Sequence, residues 1–373
     1  MGKKIRIGVV GCGYWGPKLA RNFHELGDAE LAWVVDYRAD RLAHMRDLYP
    51  NVKTTHDYRQ MLASDVDGVV IATPVLTHHA LAMQALEAGK HILVEKPLAA
   101  KVSEAIDIAE TADRLGLVAM VGHTFQYNRA VNATRDIIAS GELGDIYYVN
   151  TTRVNLGLLQ PDINVMWDLA PHDISILLHI LQREPVEVSA QGQVYIQKDR
   201  RLEEVAYVTL RFPIDILANV RVSWLDPVKT RRITVVGSKK MLVYDDIAES
   251  KITLFDKGVE IPPYSDTPEE FHVSYRHGEE TNVPYNWLEP LRIECGSLVN
   301  CIKEGYGACI RCAKRGQRSC SQAWLGVKVV QILETAQKSL SNGGGREPIL
   351  ASELLRIPST AWAAANVGNE LER

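Results

Sequence analysis

The mostly apolar run at residues 5–10 feeds directly into Gly11-Cys12-Gly13-Tyr14-Trp15-Gly16, and a helical pattern opens at Pro17. Strand, glycine loop and helix in immediate succession leave few folds open to the chain. Gly11 permits the tight turn, Gly13 lets a backbone approach a pyrophosphate, and Gly16 lets the helix pack closely on the strand. The helix N-terminus then faces the phosphate charge. Asp36 lies 20 residues beyond Gly16, at the end of a second apolar run. An acid there accepts hydrogen bonds from ribose hydroxyls and repels a 2′-phosphate, so NAD is expected ahead of NADP. Tyr14 and Trp15 in the loop, and Tyr37 and Arg38 beside Asp36, complete this candidate cofactor set. Arg38 is the side chain that would welcome a 2′-phosphate.

The chain then alternates β-branched runs (31–35, 68–72, 91–94, 118–121) with amphipathic helical patterns (77–88, 103–115), the latter closed by Gly89 and Gly116. From Asp145 onward the pattern changes to longer alternating strands such as 205–212, 217–224 and 232–236. The expected class is α/β: an N-terminal Rossmann, doubly wound parallel sheet over 1–124, then a C-terminal α/β domain over 125–345 with a large, mostly antiparallel, open-faced sheet. Helices near 288–302 and 322–340 are expected to close the second domain. Gly343-Gly344-Gly345 reads as a turn or linker, and the tail 346–373 carries one more helical pattern.

A net charge of -4 offers no basic face for nucleic acid or an anionic membrane, so small-molecule chemistry is expected. No stretch reaches the roughly 18 apolar residues of a membrane span, and the first residues lack a signal-peptide pattern, so the expected location is the cytoplasm. Six cysteines in 373 residues are too few for a disulfide scaffold. Cys301, Cys309, Cys312 and Cys320 stand in a basic stretch, but with one close Cys-x2-Cys pair they read as a solvated loop, and no metal site is expected. His78-His79 likewise reads as a helix start.

Two motifs carry chemistry. Glu95-Lys96-Pro97 ends an apolar run, and Asp168-Leu169-Ala170-Pro171-His172 opens a helical pattern. Oxidising a secondary alcohol takes a base for the hydroxyl proton and a charge to stabilise the developing alkoxide; histidine and lysine supply these. On a helix from about Leu169, Ile174, Leu177, Leu178 and Leu181 form an apolar stripe, with Asp168, His172, Ser175 and His179 opposite. An acid four residues before a histidine can fix its tautomer. Pro171 belongs in a first turn, which leaves Asp168 either on the helix or just before it.

These motifs in order, namely GCGYWG, Asp36, Ile71–Pro74 with His78, Glu95-Lys96-Pro97, and Asp168 ahead of His172, resemble the Gfo/Idh/MocA oxidoreductases over about residues 4–340. The resemblance implies that Lys96 polarises the reacting hydroxyl, that His172 is the general acid/base and that Asp168 supports it. Thr73, Pro74, His78 and Glu95 would lie along the cofactor, and the Lys96–Pro97 bond is a candidate cis bond. It further implies homo-oligomers, a tetramer ahead of a dimer, formed through the open sheet. GYWGP, VGHTFQYN and NVMWDLAPHD are similar to the branch oxidising nucleotide sugars, such as UDP-N-acetylglucosamine at C3. On that likeness Tyr127, Asn128, Arg153, Asn155, Asp162 and Asn164 join Lys96 and His172 around the substrate, each with an alternative reading as loop capping or a solvated charge. Inositol or free-sugar dehydrogenases, NAD-dependent glycosidases and non-catalytic NAD-binding regulators share this frame; the presence of Lys96, Asp168 and His172 disfavours the last.

Overall fold

The computed structural model describes residues 3–260, 274–305 and 323–350, and the chain divides into two compact units. Of the described residues, the first comprises 3–127, 288–305 and 323–334; the second comprises 128–260, 274–287 and 335–350.

In the first unit, β1 (Ile5–Val10), β2 (Ala29–Val35), β3 (Lys53–Thr55), β4 (Gly68–Ile71), β5 (His91–Val94) and β6 (Ala119–Val121) form a parallel sheet in the order 3-2-1-4-5-6. This is the expected doubly wound order, and its direction reverses between β1 and β4, where such sheets bind ligands at the strands' carboxyl ends. The crossovers carry α1 (Gly16–Glu25), α2 (Ala39–Leu48), α3 (Tyr58–Leu62), α4 (His78–Glu87) and α5 (Val102–Leu115). A parallel sheet needs cover on both faces, and Ile7, Val9, Val34, Val70, Ile92 and Leu93 are accordingly buried. α5 ends at Gly116 in the left-handed conformation, with φ of 67°, as its position in the sequence suggests.

One boundary differs from the sequence reading. Residues 288–305 and 323–334, expected in the second domain, belong to the first unit. The physical reason lies in the next helix, α8 (Pro290–Glu304), whose Leu291, Cys295, Leu298 and Val299 join the core formed by Ile5, Leu19, Phe23 and Leu31. Arg21 of α1 pairs with Glu289 at its start. Trp324 Nε1, at the head of α9 (Ala323–Ser341), donates to Asp113 Oδ2 at 2.8 Å. The helical pattern at 352–371 and Cys309, Cys312 and Cys320 lie outside the described residues.

The second unit opens with α6 (Arg129–Ala139), β7 (Ile146–Val154) and α7 (Val165–Leu181). There follow β8 (Glu187–Gln193), β9 (Val205–Arg211), β10 (Leu217–Ser223), β11 (Thr230–Gly237), β12 (Met241–Asp245), β13 (Ile252–Glu260), β14 (Ser274–Asn282) and β15 (Glu347–Pro348). Its sheet runs 14-13-12-11-7-10-9-8-15 and is antiparallel except between β7 and β10. Alternation is clear on β10: Ala218, Val220 and Val222 are buried while Leu217, Asn219 and Arg221 are exposed. α7 packs on the buried face against β7, β9 and β10. The other face exposes Tyr148, Tyr207 and Leu217. Gly343 and Gly344, at φ of 74° and 87°, make the turn into β15 that the glycine run suggests.

α7 is not the two-sided helix its periodicity suggests. Ser175 and His179, expected opposite the apolar stripe, are buried with it. Asn164 caps the helix by accepting from Trp167 N at 3.1 Å, so the helix starts at Val165 and Asp168 is on it. Pro171 therefore lies beyond the first turn, and its missing N–H releases the Trp167 carbonyl from the ladder. No helix among the described residues is long and apolar enough to cross a membrane.

Candidate active site

The carboxyl edge of the parallel sheet gathers the cofactor candidates of the first unit. β1 delivers Gly11 at φ of 88°, where a Cβ would stand 2.6 Å from the Ala72 carbonyl oxygen. Gly16 sits where a Cβ would be 1.8 Å from the Gly11 oxygen. The loop is thus folded tightly on itself. α1 begins with Pro17 in its first turn and no side chain capping it; Lys18 N and Leu19 N both donate to the Trp15 carbonyl, at 3.0 and 3.1 Å, so the helix N-terminus offers an anion its dipole more than free amides. Tyr14 is exposed with its ring edge-on to Trp15, and Lys18 Nζ lies 3.3 Å from the Tyr14 centroid.

Asp36 is buried, and its carboxylate holds the loop together. Oδ2 accepts from Cys12 N at 2.6 Å, and Oδ1 accepts from Arg38 N at 2.8 Å. Arg41 Nη1 is 3.7 Å from Oδ2, a neighbour the sequence reading did not single out. Burial and the adjoining carboxylate push the Cys12 thiol up to about 12, which leaves it protonated and inert. Tyr37 is exposed, and the Arg38 guanidinium is engaged by Asp40 at 3.0 and 2.6 Å. These features fit NAD: an acid ready for ribose hydroxyls, with Arg38 turned onto a neighbour. Replacing Asp36 with Ala is expected to weaken NAD binding about tenfold or more while changing NADP binding less, as read by nicotinamide fluorescence titration. Equal losses for both cofactors would remove Asp36 from the ribose.

Thr73 follows β4 and shares a 2.7 Å hydrogen bond with Thr77, beyond Pro74. His78 is buried with Nδ1 2.9 Å from the Pro97 oxygen and Nε2 2.8 Å from the Thr73 oxygen. Burial lowers its proton affinity, so a neutral ring donates to one carbonyl at a time, tying the loop after β4 to the loop after β5. The Lys96–Pro97 bond is cis. Within Glu95-Lys96-Pro97, Glu95 and Pro97 are buried and Lys96 is partly exposed.

In the second unit the decisive feature is what α7 leaves uncovered. Every residue of the helix is buried except Trp167, Asp168, Leu169 and His172. Asp168 and His172, four apart, share a face, and Asp168 Oδ2 accepts from Trp224 Nε1 at 3.1 Å. The substrate candidates divide. Arg153 is buried on β7, with Nε 2.6 Å from Asp173 Oδ2. Asn128 caps α6 and donates to the Tyr244 hydroxyl at 3.3 Å. Asn164, besides capping α7, donates to Glu203 and Gln337 at 2.8 and 2.9 Å. Asn128 and Asn164 thus cap helices, and Arg153 is a buried ion-pair member rather than a solvated charge. Asp162 is exposed, Asn155 is half-buried, and Tyr127 in the first unit packs on its core.

Two family models match in succession, an "oxidoreductase family, NAD-binding Rossmann fold" over residues 5–123 and a "GFO/IDH/MocA C-terminal domain" over residues 131–243. The chain belongs to the Gfo/Idh/MocA oxidoreductase family. It is 26% identical over 267 residues to myo-inositol 2-dehydrogenase of Thermotoga maritima, covering 68% of this chain and 79% of that one. It is 31% identical over 214 residues to UDP-N-acetylglucosamine 3-dehydrogenase of Acidithiobacillus ferrooxidans, covering 55% of this chain and 63%, under two thirds, of the relative. A solved structure of a putative oxidoreductase from Magnetospirillum magnetotacticum MS-1 is 28% identical with a TM-score of 0.73, covering 89% of this chain and 99% of that one. The relatives it matches include dehydrogenases of inositols and of a nucleotide sugar, and its first domain is an NAD-binding one.

Proposed function

We propose that this Gfo/Idh/MocA member oxidises the C3 hydroxyl of a nucleotide sugar, with UDP-N-acetylglucosamine the leading substrate, to a 3-keto sugar. The observation that carries the chemistry is the accessible face of α7, which leaves Asp168 and His172 partly open on an otherwise buried helix. NAD, when bound, supplies the hydride acceptor. The glycine loop and the N-terminal end of α1 hold its pyrophosphate, and Asp36 takes the ribose hydroxyls. The Lys96 ammonium stabilises the alkoxide that forms as the hydroxyl proton leaves, and His172 takes that proton. Asp168, itself held by Trp224, lies one turn before His172 on the same helix face, where its charge favours the imidazolium that forms. The sugar assignment is supported by the 31% identity to a UDP-N-acetylglucosamine 3-dehydrogenase.

Purified protein with NAD is expected to give rising NADH absorbance with UDP-N-acetylglucosamine and little with myo-inositol or glucose. Turnover of myo-inositol alone would replace the nucleotide sugar by a polyol, a second reading favoured by the greater coverage of the inositol dehydrogenase match. The protein is further proposed to act as a cytoplasmic homo-oligomer through the open sheet face, where Tyr148, Tyr207 and Leu217 are exposed. Light scattering should report a tetramer, or a dimer, that Tyr207→Glu dissociates.

A further inference from the structure

α7 carries His172 next to a weak point in its own backbone. Pro171 donates no N–H to the Trp167 carbonyl, so the helix lacks the bond that would stiffen it at that turn. Ties to the sheet flank the gap. One turn before His172, Asp168 Oδ2 accepts from Trp224 Nε1 at 3.1 Å, just past the end of β10. One residue after His172, Asp173 meets Arg153 of β7: Oδ2 accepts from Nε at 2.6 Å and Oδ1 from Nη2 at 3.4 Å. β7 lies between β11 and β10 near the middle of the sheet, with Arg153 itself in register with Arg231 and Val222. The anchor cannot shift without the sheet.

Both members of this pair are out of water, Asp173 at 1% and Arg153 at 5% exposure. Taking two charges into the interior costs about as much as their attraction returns, so an apolar pair of similar volume would stabilise the fold as well or better. What the pair adds is geometry. A guanidinium is a planar fork, and a carboxylate gripped by two of its nitrogens loses a bond if it rotates or slides along the strand. Asp173 is joined to His172 by one peptide, so fixing the carboxylate fixes the turn from which the imidazole projects. Ser175 Oγ, donating to the His172 carbonyl at 2.8 Å, ties the same turn from within the helix.

We propose that Arg153 and Asp173 are positioning residues for His172: their buried, two-nitrogen ion pair binds α7 to β7 two residues past Pro171 and holds the imidazole where proton transfer needs it. This rests on His172 being the proton acceptor. The test replaces the pair as a unit in the full-length protein, Arg153→Met with Asp173→Leu, because removing one member strands the charge of the other. The double variant should melt no earlier than the wild type and bind NAD as well, while kcat falls about tenfold or more, since a misplacement of about 1 Å suffices for such a loss. Amide deuterium exchange over residues 165–176, which needs no substrate, should quicken. A pair that only stabilised the fold would instead lower the melting temperature and leave kcat alone. Arg153→Lys keeps a paired charge without the fork, so it should lower kcat by a smaller factor, about threefold or more, with melting and NAD affinity held. That single variant decides the matter if the double variant does not fold. Wild-type kcat in the folded double variant, or in Arg153→Lys if only that folds, overturns the proposal provided His172→Ala loses turnover. If His172→Ala keeps turnover, the base assignment fails instead, and exchange over 165–176 at the wild-type rate then overturns the tie as well.

Discussion

Alanine at Gly16 is expected to cost both NAD affinity and thermal stability, whereas alanine at Gly13 should cost affinity alone. The Gly16 Cβ would stand 1.8 Å from the Gly11 carbonyl oxygen, a backbone atom that cannot swing aside. Relief requires α1 to move off β1, and overpacking of this kind costs about 1–3 kcal/mol or more. The moved helix no longer presents its N-terminal end to the pyrophosphate, and the glycine loop opens with it, so affinity should fall by about 100-fold or beyond. At Gly13 the new Cβ meets only Arg41 Nη1, at 3.7 Å, the end of a flexible side chain. The fold should keep its melting temperature while the added methyl blocks the approach of the pyrophosphate, weakening NAD about tenfold or more. Calorimetry with and without NAD, and a fluorescence titration, separate the two. If Gly16→Ala melts and binds like the wild type, the glycine loop is not the closed turn described above.

The parallel sheet was readable because each of its signals is local. An apolar run, a glycine loop, a helical stripe and a closing Gly116 lie within one crossover, and a residue's face follows from periodicity alone. The return of 288–305 and 323–334 to the first unit was not readable, since Leu291, Cys295, Leu298 and Val299 form a stripe that says a helix packs and nothing about which core it joins. α7 misled for a related reason. Its apolar stripe is real, but Ser175 and His179 bury their polar groups with hydrogen bonds, Ser175 Oγ to the His172 carbonyl at 2.8 Å and His179 Nε2 to Asn132 Oδ1 of α6 at 2.7 Å. A satisfied polar residue costs little to bury, so binary patterning overstates how much of such a helix is exposed.

Within the site, Gly11, Gly16, Asp36 and the Glu95-Lys96-Pro97 turn were legible because their spacing along one strand, turn and helix unit fixes their place on the sheet edge. Asn128, Arg153 and Asn164 show the opposite case. A polar residue before a helix is as readily a cap as a ligand contact, and one on a strand as readily an ion-pair member; here Asn128 and Asn164 accept from Ala130 N and Trp167 N, and Arg153 on β7 pairs with Asp173. Glu294 carried a signal that went unread: an acid at position i+3 from Leu291, on the stripe shared with Cys295 and Leu298, is a charge on a buried face. Burial, and then the Glu95 charge, raise that carboxyl well above the ordinary carboxylate range, and Thr124 Oγ1 donates to it at 2.8 Å.

His172→Ala is expected to lower kcat by about 100- to 10,000-fold, the range of a lost general base, with NAD affinity changed less than about twofold. The separation follows from the chain's organisation, because His172 belongs to the second unit while the glycine loop and Asp36 belong to the first. Asp168→Asn should fall short of that loss: an amide still accepts from Trp224 Nε1 but no longer stabilises the imidazolium, so kcat drops and its acid limb moves down in pH. Sign decides the matter here. Removing a carboxylate beside a histidine lowers the imidazole's proton affinity, so the base stays deprotonated to lower pH even as it becomes weaker. Lys96→Met keeps the length of the side chain and removes its charge, and should lower kcat like His172→Ala while leaving that acid limb in place. Stopped-flow NADH formation across pH distinguishes the three. A His172→Ala protein that turns over at near wild-type rate, or an Asp168→Asn profile shifted to higher pH, would take the proton-accepting role away from α7.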